Sequence, residues 1–165
     1  MKQQVILLNG PSSSGKSTLA KALQKLIEEK RYEQYPIVSI DDFLKMTTEE
    51  TIYEDDVYEI SCALCEKVQQ LLETAPGVII DHVITSQRIF DQLLKMLCAY
   101  PLRLIRVTCP LEVLREREKA RKNRCLGSAE ASCEYLFPKD GYDMTVDTHR
   151  MSTAQCALEI YTSLF

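Results

Sequence analysis

Residues 5–18 read Val5-Ile6-Leu7-Leu8-Asn9-Gly10-Pro11-Ser12-Ser13-Ser14-Gly15-Lys16-Ser17-Thr18, and the reading of this stretch decides the fold. Its first four residues form a short apolar, partly β-branched run, which predicts a buried strand. Gly10 to Ser17 fits G-x-x-x-x-G-K-[ST] at every fixed position, and Leu19, Leu23, Leu26 and Ile27 follow at helical spacing. A loop placed between a strand and a helix turns backbone N–H groups and a helix N-terminus toward one point, which suits a chain of phosphates. Lys16 adds a cation for the β- and γ-phosphates, and Ser17 adds a hydroxyl for the Mg²⁺ that accompanies them. Gly10, Pro11, Ser12, Ser13, Ser14, Gly15, Lys16, Ser17 and Thr18 are therefore the expected nucleotide site, with ATP and Mg²⁺ as the expected cofactors. Average composition produces this motif by chance in well under ~1% of chains of this size.

Working outward, strand and helix signals alternate to the end of the chain. Ile37 to Ile40 predicts a second strand after Pro36, Val57 to Leu72 a helix, and Val78-Ile79-Ile80 a third strand after Ala75-Pro76-Gly77. Ile89, Leu93, Leu94 and Leu97 mark another helix, and Leu104 to Val107 a fourth strand. Pro110 suits the first turn of a helix running to about Arg121. Residues 122–140 are mixed and polar, with one or two helical turns. Tyr142 to Val146 alternates as a last strand, and Ser152 to Leu164 is a closing helix. The pattern predicts one α/β domain over residues 1–165, a P-loop NTPase fold of the nucleoside-monophosphate-kinase-like type. Its sheet should have five parallel strands with helices on both faces, and its ligands should lie beyond the carboxyl ends of the strands.

Those strand ends carry acids. Asp41 and Asp42 follow the second strand, where a carboxylate can take a proton from an acceptor hydroxyl or cap a following helix. Asp41 is preferred as the catalytic base, and Asp42 joins Ser17 and Asp81 as a candidate metal ligand. Asp81 ends the third strand after three apolar residues, the setting of a Walker-B aspartate. His82 beside it reads as a turn residue. Asp147 at the end of the fifth strand reads equally as a cap for the last helix or as a nucleotide contact.

Arg115, Arg117, Lys119, Arg121, Lys122 and Arg124 form a basic stretch. Glu118 and Lys122 are four apart, which marks part of it as a solvated helix face. Arg121 and Arg124 fall where the helix gives out. From spacing alone they are equally surface residues or arginines on a segment, about 118–136, that closes over a triphosphate.

The 165-residue chain is 45% hydrophobic with a formal charge of −4, which argues against a nucleic-acid partner. Its longest apolar runs are too short to span a bilayer. Seven cysteines, an odd number with no secretory leader before them, are expected to be free thiols in the cytoplasm. Cys62 and Cys65 lack a second Cys/His pair for zinc. Apart from Lys45, every charge from Asp41 to Glu59 is acidic, so the partner expected there is a neutral or weakly cationic small-molecule alcohol. Oligomeric state is left open.

The chain resembles the chloramphenicol phosphotransferase-like group of P-loop kinases. The resemblance rests on NGPSSSGKST, on Ile40-Asp41-Asp42, on Val78-Ile79-Ile80-Asp81, and on the final third. There Glu118-Lys119-Ala120-Arg121-Lys122-Asn123-Arg124, then Gly127, Tyr142-Asp143 and Val146-Asp147-Thr148, are similar to the family's arginine lid, last strand and adenine-side loop. It implies transfer of the ATP γ-phosphate to a hydroxyl, with Asp41 as base and Arg121 and Arg124 as lid arginines. The resemblance does not extend to Phe43–Tyr58, so it leaves the acceptor open. A regulatory GTPase would need D-x-x-G and N-K-x-D motifs, and the sequence has neither. The remaining alternatives are a kinase of another small molecule or nucleoside, and a nucleotide-binding module without turnover.

Overall fold

The computed structural model describes residues 3–45, 53–121 and 125–165. Twelve elements alternate along them: β1 (Gln4–Asn9), α1 (Lys16–Arg31), β2 (Ile37–Ser39), α2 (Ile40–Leu44), α3 (Glu54–Leu72), β3 (Gly77–His82), α4 (Gln87–Met96), β4 (Leu102–Thr108), α5 (Leu111–Ala120), α6 (Ser128–Tyr135), β5 (Met144–Asp147) and α7 (Thr153–Leu164). The strands form one parallel sheet in the order β2-β3-β1-β4-β5. Leu8 is level with Asp81 and Ile105, Ser39 with Asp81, and Thr108 with Asp147, so the strands end together along one edge.

Burial explains why the central strands read as unbroken apolar runs. Val5 and Leu7 point into a core under α3 and α4 with Leu64, Val68, Leu72, Ile89 and Leu93. Ile6 and Leu8 point the other way, against Leu19, Leu23 and Ile27 of α1 and Ala157 and Ile160 of α7. Both faces of β1 are thus sealed, as a parallel sheet requires, and each such side chain contributes about 1.5–3 kcal/mol by leaving water. The five-stranded parallel α/β sheet covered on both faces is the architecture expected. No helix among the described residues is long and apolar enough to cross a membrane.

Four local readings are corrected. β3 runs through Asp81 to His82, which pairs with Asn9, so His82 is a buried strand residue and not part of a turn. Ile40 leaves the second strand to begin α2, which places Asp41 and Asp42 in the first turn of that helix. Asp147 does not cap α7: its Oδ1 accepts from the N–H groups of His149 and Arg150 at 2.8 and 3.1 Å, while Ser152 and Gln155 form the cap. Glu118 is not on a solvated face. It is buried with both oxygens engaged, and Lys122 lies outside the described residues.

Candidate active site

The phosphate-loop motif folds as its residue types demand. A Cβ at Gly10 would stand 2.2 Å from the Val107 carbonyl oxygen of the neighbouring strand, so only glycine fits there. Gly15 takes φ 89° as the residue before α1, a left-handed conformation that glycine adopts without steric cost. Ser13 is left-handed too, at φ 68°. α1 opens on Lys16 with no acidic residue in its first turn and no side-chain cap, so its N–H groups and dipole face the loop uncompensated. Lys16 is buried and folds back, donating to the Pro11 carbonyl at 2.9 Å and to Ser14 Oγ at 3.4 Å.

Beside this loop the strand ends assemble an oxygen cluster. The Ser17 hydroxyl donates to Asp81 Oδ2 at 2.6 Å, and the Ser39 hydroxyl reaches the same oxygen at 3.3 Å. A serine hydroxyl and a buried carboxylate next to a phosphate cradle are hard oxygen donors, the set that suits Mg²⁺. Asp41 on α2 lines the same cavity as Ser17 and Asp81, as does Arg121, the residue that follows α5. Lys16, Ser17, Asp41, Asp81 and Arg121 thereby line a single cavity of about 230 Å³. Asp42, expected among the metal ligands, is exposed one position further on and does not line it. The oxygen cluster is made by Ser17, Ser39 and Asp81 without it. Arg124 lies outside the described residues. Thr18 is exposed and lines a second cavity, which shares Ser13, Gly15 and Arg121 with the first.

That second cavity exposes a residue that spacing did not single out. Arg117 Nη1 donates to the Ser13 carbonyl at 3.4 Å and to Thr148 Oγ1 at 3.1 Å, and Nη2 donates to the Thr148 carbonyl at 3.1 Å. The Thr148 hydroxyl in turn donates to the Ser14 carbonyl at 2.7 Å. Both loop carbonyls are thereby held from the Arg117–Thr148 side of the loop. The sequence signal for Arg117 was its place in the basic stretch, which five other cations share.

Glu118 ties α5 to α6. Its Oε1 accepts from Ala129 N–H at 2.8 Å and its Oε2 from Gly127 N–H at 3.0 Å, closing the base of the segment that opens with Arg121. These N–H groups, Ala129 first, hold its carboxyl below the usual range against the opposing effect of burial.

Asn9, at the end of β1, ties three segments of the chain together. Its Nδ2 donates to the Phe137 carbonyl at 2.9 Å and to Tyr142 Oη at 3.0 Å, and its Oδ1 accepts from Ile84 N–H at 2.9 Å. His82, level with Asn9 on the neighbouring strand, lies 3.3 Å from Ser61 Oγ through Nε2, and burial pushes its pKa down to about 4. It is neutral at ordinary pH and stands outside the cavity lining. Cys65 on α3 is also buried, and its thiol is pushed up to about 12, which leaves it without thiolate reactivity.

Comparison with known proteins bears on the family and the fold. The model of the chloramphenicol phosphotransferase-like protein family matches residues 3–165. Among solved structures, the APS kinase of Mycobacterium tuberculosis in complex with AMPPNP and APS superposes with a TM-score of 0.79 at 16% identity, covering 99% of this chain and 98% of its own. A gluconokinase from Sinorhizobium meliloti gives 0.72 at 21% identity, with 98% and 93% covered. The tunicamycin resistance protein of Deinococcus radiodurans gives 0.68 at 18% identity, with 98% and 95% covered. At these identities the structures share the fold. No curated protein sequence matches the chain.

Proposed function

The chain belongs to the chloramphenicol phosphotransferase-like family and is a phosphotransferase of the P-loop kinase type, and on that premise we propose that it moves the γ-phosphoryl group of ATP to a hydroxyl group of a small molecule. The observation that carries the reading is the meeting of Lys16, Asp41, Asp81 and Arg121 around one cavity.

The chemistry follows from their positions. The phosphate loop and Lys16 hold the β- and γ-phosphates. Ser17 and Asp81 are the residues that would hold Mg²⁺, which when bound supplies charge neutralisation at those phosphates. Asp41 takes the proton from the acceptor hydroxyl as its oxygen attacks the γ-phosphorus in line, and the bond to the bridging oxygen breaks to release ADP. Arg121 faces the charge that builds on the moving phosphoryl group, a role proposed for Arg124 as well.

The acceptor side of the cavity narrows the substrate class. Ile40, Leu44, Val57 and Val83 line it with Thr85, while the cavity's two cations, Lys16 and Arg121, stand at the phosphate end. A second anionic substrate, such as the APS held by the mycobacterial enzyme, would meet no basic side chain on that wall among the described residues. We assign the acceptor as a neutral or weakly cationic alcohol with an apolar body.

The test is ADP release by the purified protein with MgATP across a panel of hydroxyl-bearing antibiotics, nucleosides and sugars. An acceptor that raises the rate, and does so in the parent but not in Lys16→Ala, supports the proposal. A nucleoside monophosphate as the best acceptor would refute the assignment of the pocket.

A further inference from the structure

Three consecutive residues of the phosphate loop are each gripped by a different element. The Ser13 carbonyl accepts from Arg117, the Ser14 carbonyl from Thr148, and the Ser12 N–H donates to Ser132 Oγ at 2.9 Å. The first two contacts lie at the cavity beside Arg117 and Thr148. Ser12 and Ser132 line the other cavity, with Lys16, Asp41 and Arg121, where the phosphoryl group is transferred.

Ser132 is built for this contact. It is buried on α6, and its own proton goes to the Ala129 carbonyl at 3.0 Å, so a lone pair faces Ser12. α6 is fixed in turn by Glu118 at its N-terminal end. The loop needs such a hold. Ser13 sits at φ 68°, a region that costs a non-glycine residue free energy and persists only where neighbours enforce it. Arg117 holds the peptide after that residue, and Ser132 holds the residue before it.

We infer that Ser132 is a positioning residue: through the Ser12 N–H it sets the γ-phosphate end of the loop, so that docking of α6 and the geometry of the phosphate site are one event. The inference rests on the nucleotide-binding reading above. It predicts a selective effect, because a contact at the γ-phosphate end matters to a nucleotide that has a γ-phosphate and little to one that lacks it.

The test compares Ser132→Thr, which keeps the oxygen, with Ser132→Val, which keeps the shape of threonine without it. The probes are AMPPNP and ADP, each with Mg²⁺, titrated calorimetrically into the full chain. Ser132→Val should bind AMPPNP about tenfold more weakly, the scale of one buried hydrogen bond, and ADP within about twofold of the parent. Ser132→Thr should recover most of the loss. Equal weakening for both nucleotides, or equal behaviour of the Thr and Val variants, overturns the inference. If the Val variant unfolds, Ser132→Ala is set against Ser132→Thr with the same criteria. A parent protein with no affinity for either nucleotide would instead overturn the nucleotide-binding reading, and this inference with it.

Discussion

Ser17 Oγ and Asp81 Oδ2 stand 2.6 Å apart, the hydroxyl donating to the carboxylate across 64 residues of sequence. The bond draws the first turn of α1 against the carboxyl end of β3 and sets two hard oxygen ligands side by side. Ser17→Ala and Asp81→Asn should therefore each raise the Mg²⁺ concentration needed for half-maximal activity, by about tenfold or more. Titration of Mg²⁺ at fixed ATP measures this. Unchanged requirements in both variants would refute the pair as the metal shell.

Asp41 lines the cavity and Asp42 does not. Asp41→Asn should keep its affinity for MgATP and lose about a hundredfold or more in kcat, the scale of a general base. Asp42→Asn should retain nearly full activity. The reverse result would exchange their roles.

Arg117 and Arg121 lie four residues apart and both line the second cavity, but Arg121 also lines the first, so different effects are expected of them. Arg117 holds the loop through Ser13 and Thr148, so Arg117→Ala should weaken binding of both ADP and ATP. Arg121→Ala should lower kcat more than it weakens ATP binding, and Arg121→Lys should restore only part of the loss because an ammonium lacks the planar fork. The same kinetic signature is expected of Arg124→Ala. Matching losses in kcat and ADP affinity for Arg121→Ala would place it with Arg117.

His82 gives a pH dependence whose sign is fixed. Burial lowers its pKa from 6.5 to about 4 in the folded protein, so the unfolded chain binds the proton first as pH falls. Its contribution to stability is complete above pH 6.5 and is lost progressively as pH falls through about 4. Urea midpoints across that window should fall less steeply in His82→Gln than in the parent. Parallel curves would show that other groups carry the acid sensitivity.

The sequence was most legible where function depends on neighbours in the chain. The Gly10–Ser17 motif has its strand and helix on either side, and the three apolar residues before Asp81 announce a strand end. What escaped depends on closure in space. Glu118 looks solvated beside Lys122, yet its partners are N–H groups nine and eleven residues onward, at the start of a helix the sequence hardly signals. Ser132 meets Ser12 across 120 residues, with no pattern at either position to pair them. Arg117 is set apart from its basic neighbours by its partners Ser13 and Thr148, which lie 104 and 31 residues away. The apolar run makes Asp81 the last residue of β3 and His82 a turn, whereas pairing with Asn9 carries the strand one residue further.

The central claim is tested most directly by following the γ-phosphate itself. The protein is incubated with Mg²⁺ and γ-labelled ATP in the presence of the acceptor selected by the ADP-release panel, and the products are separated. The account predicts label in an acid-stable phosphate ester of the acceptor, one ADP for each ester, and loss of the ester in both Lys16→Ala and Asp41→Asn. Label recovered only as ATP and inorganic phosphate across the whole panel, or an undiminished ester yield from Asp41→Asn, would contradict it.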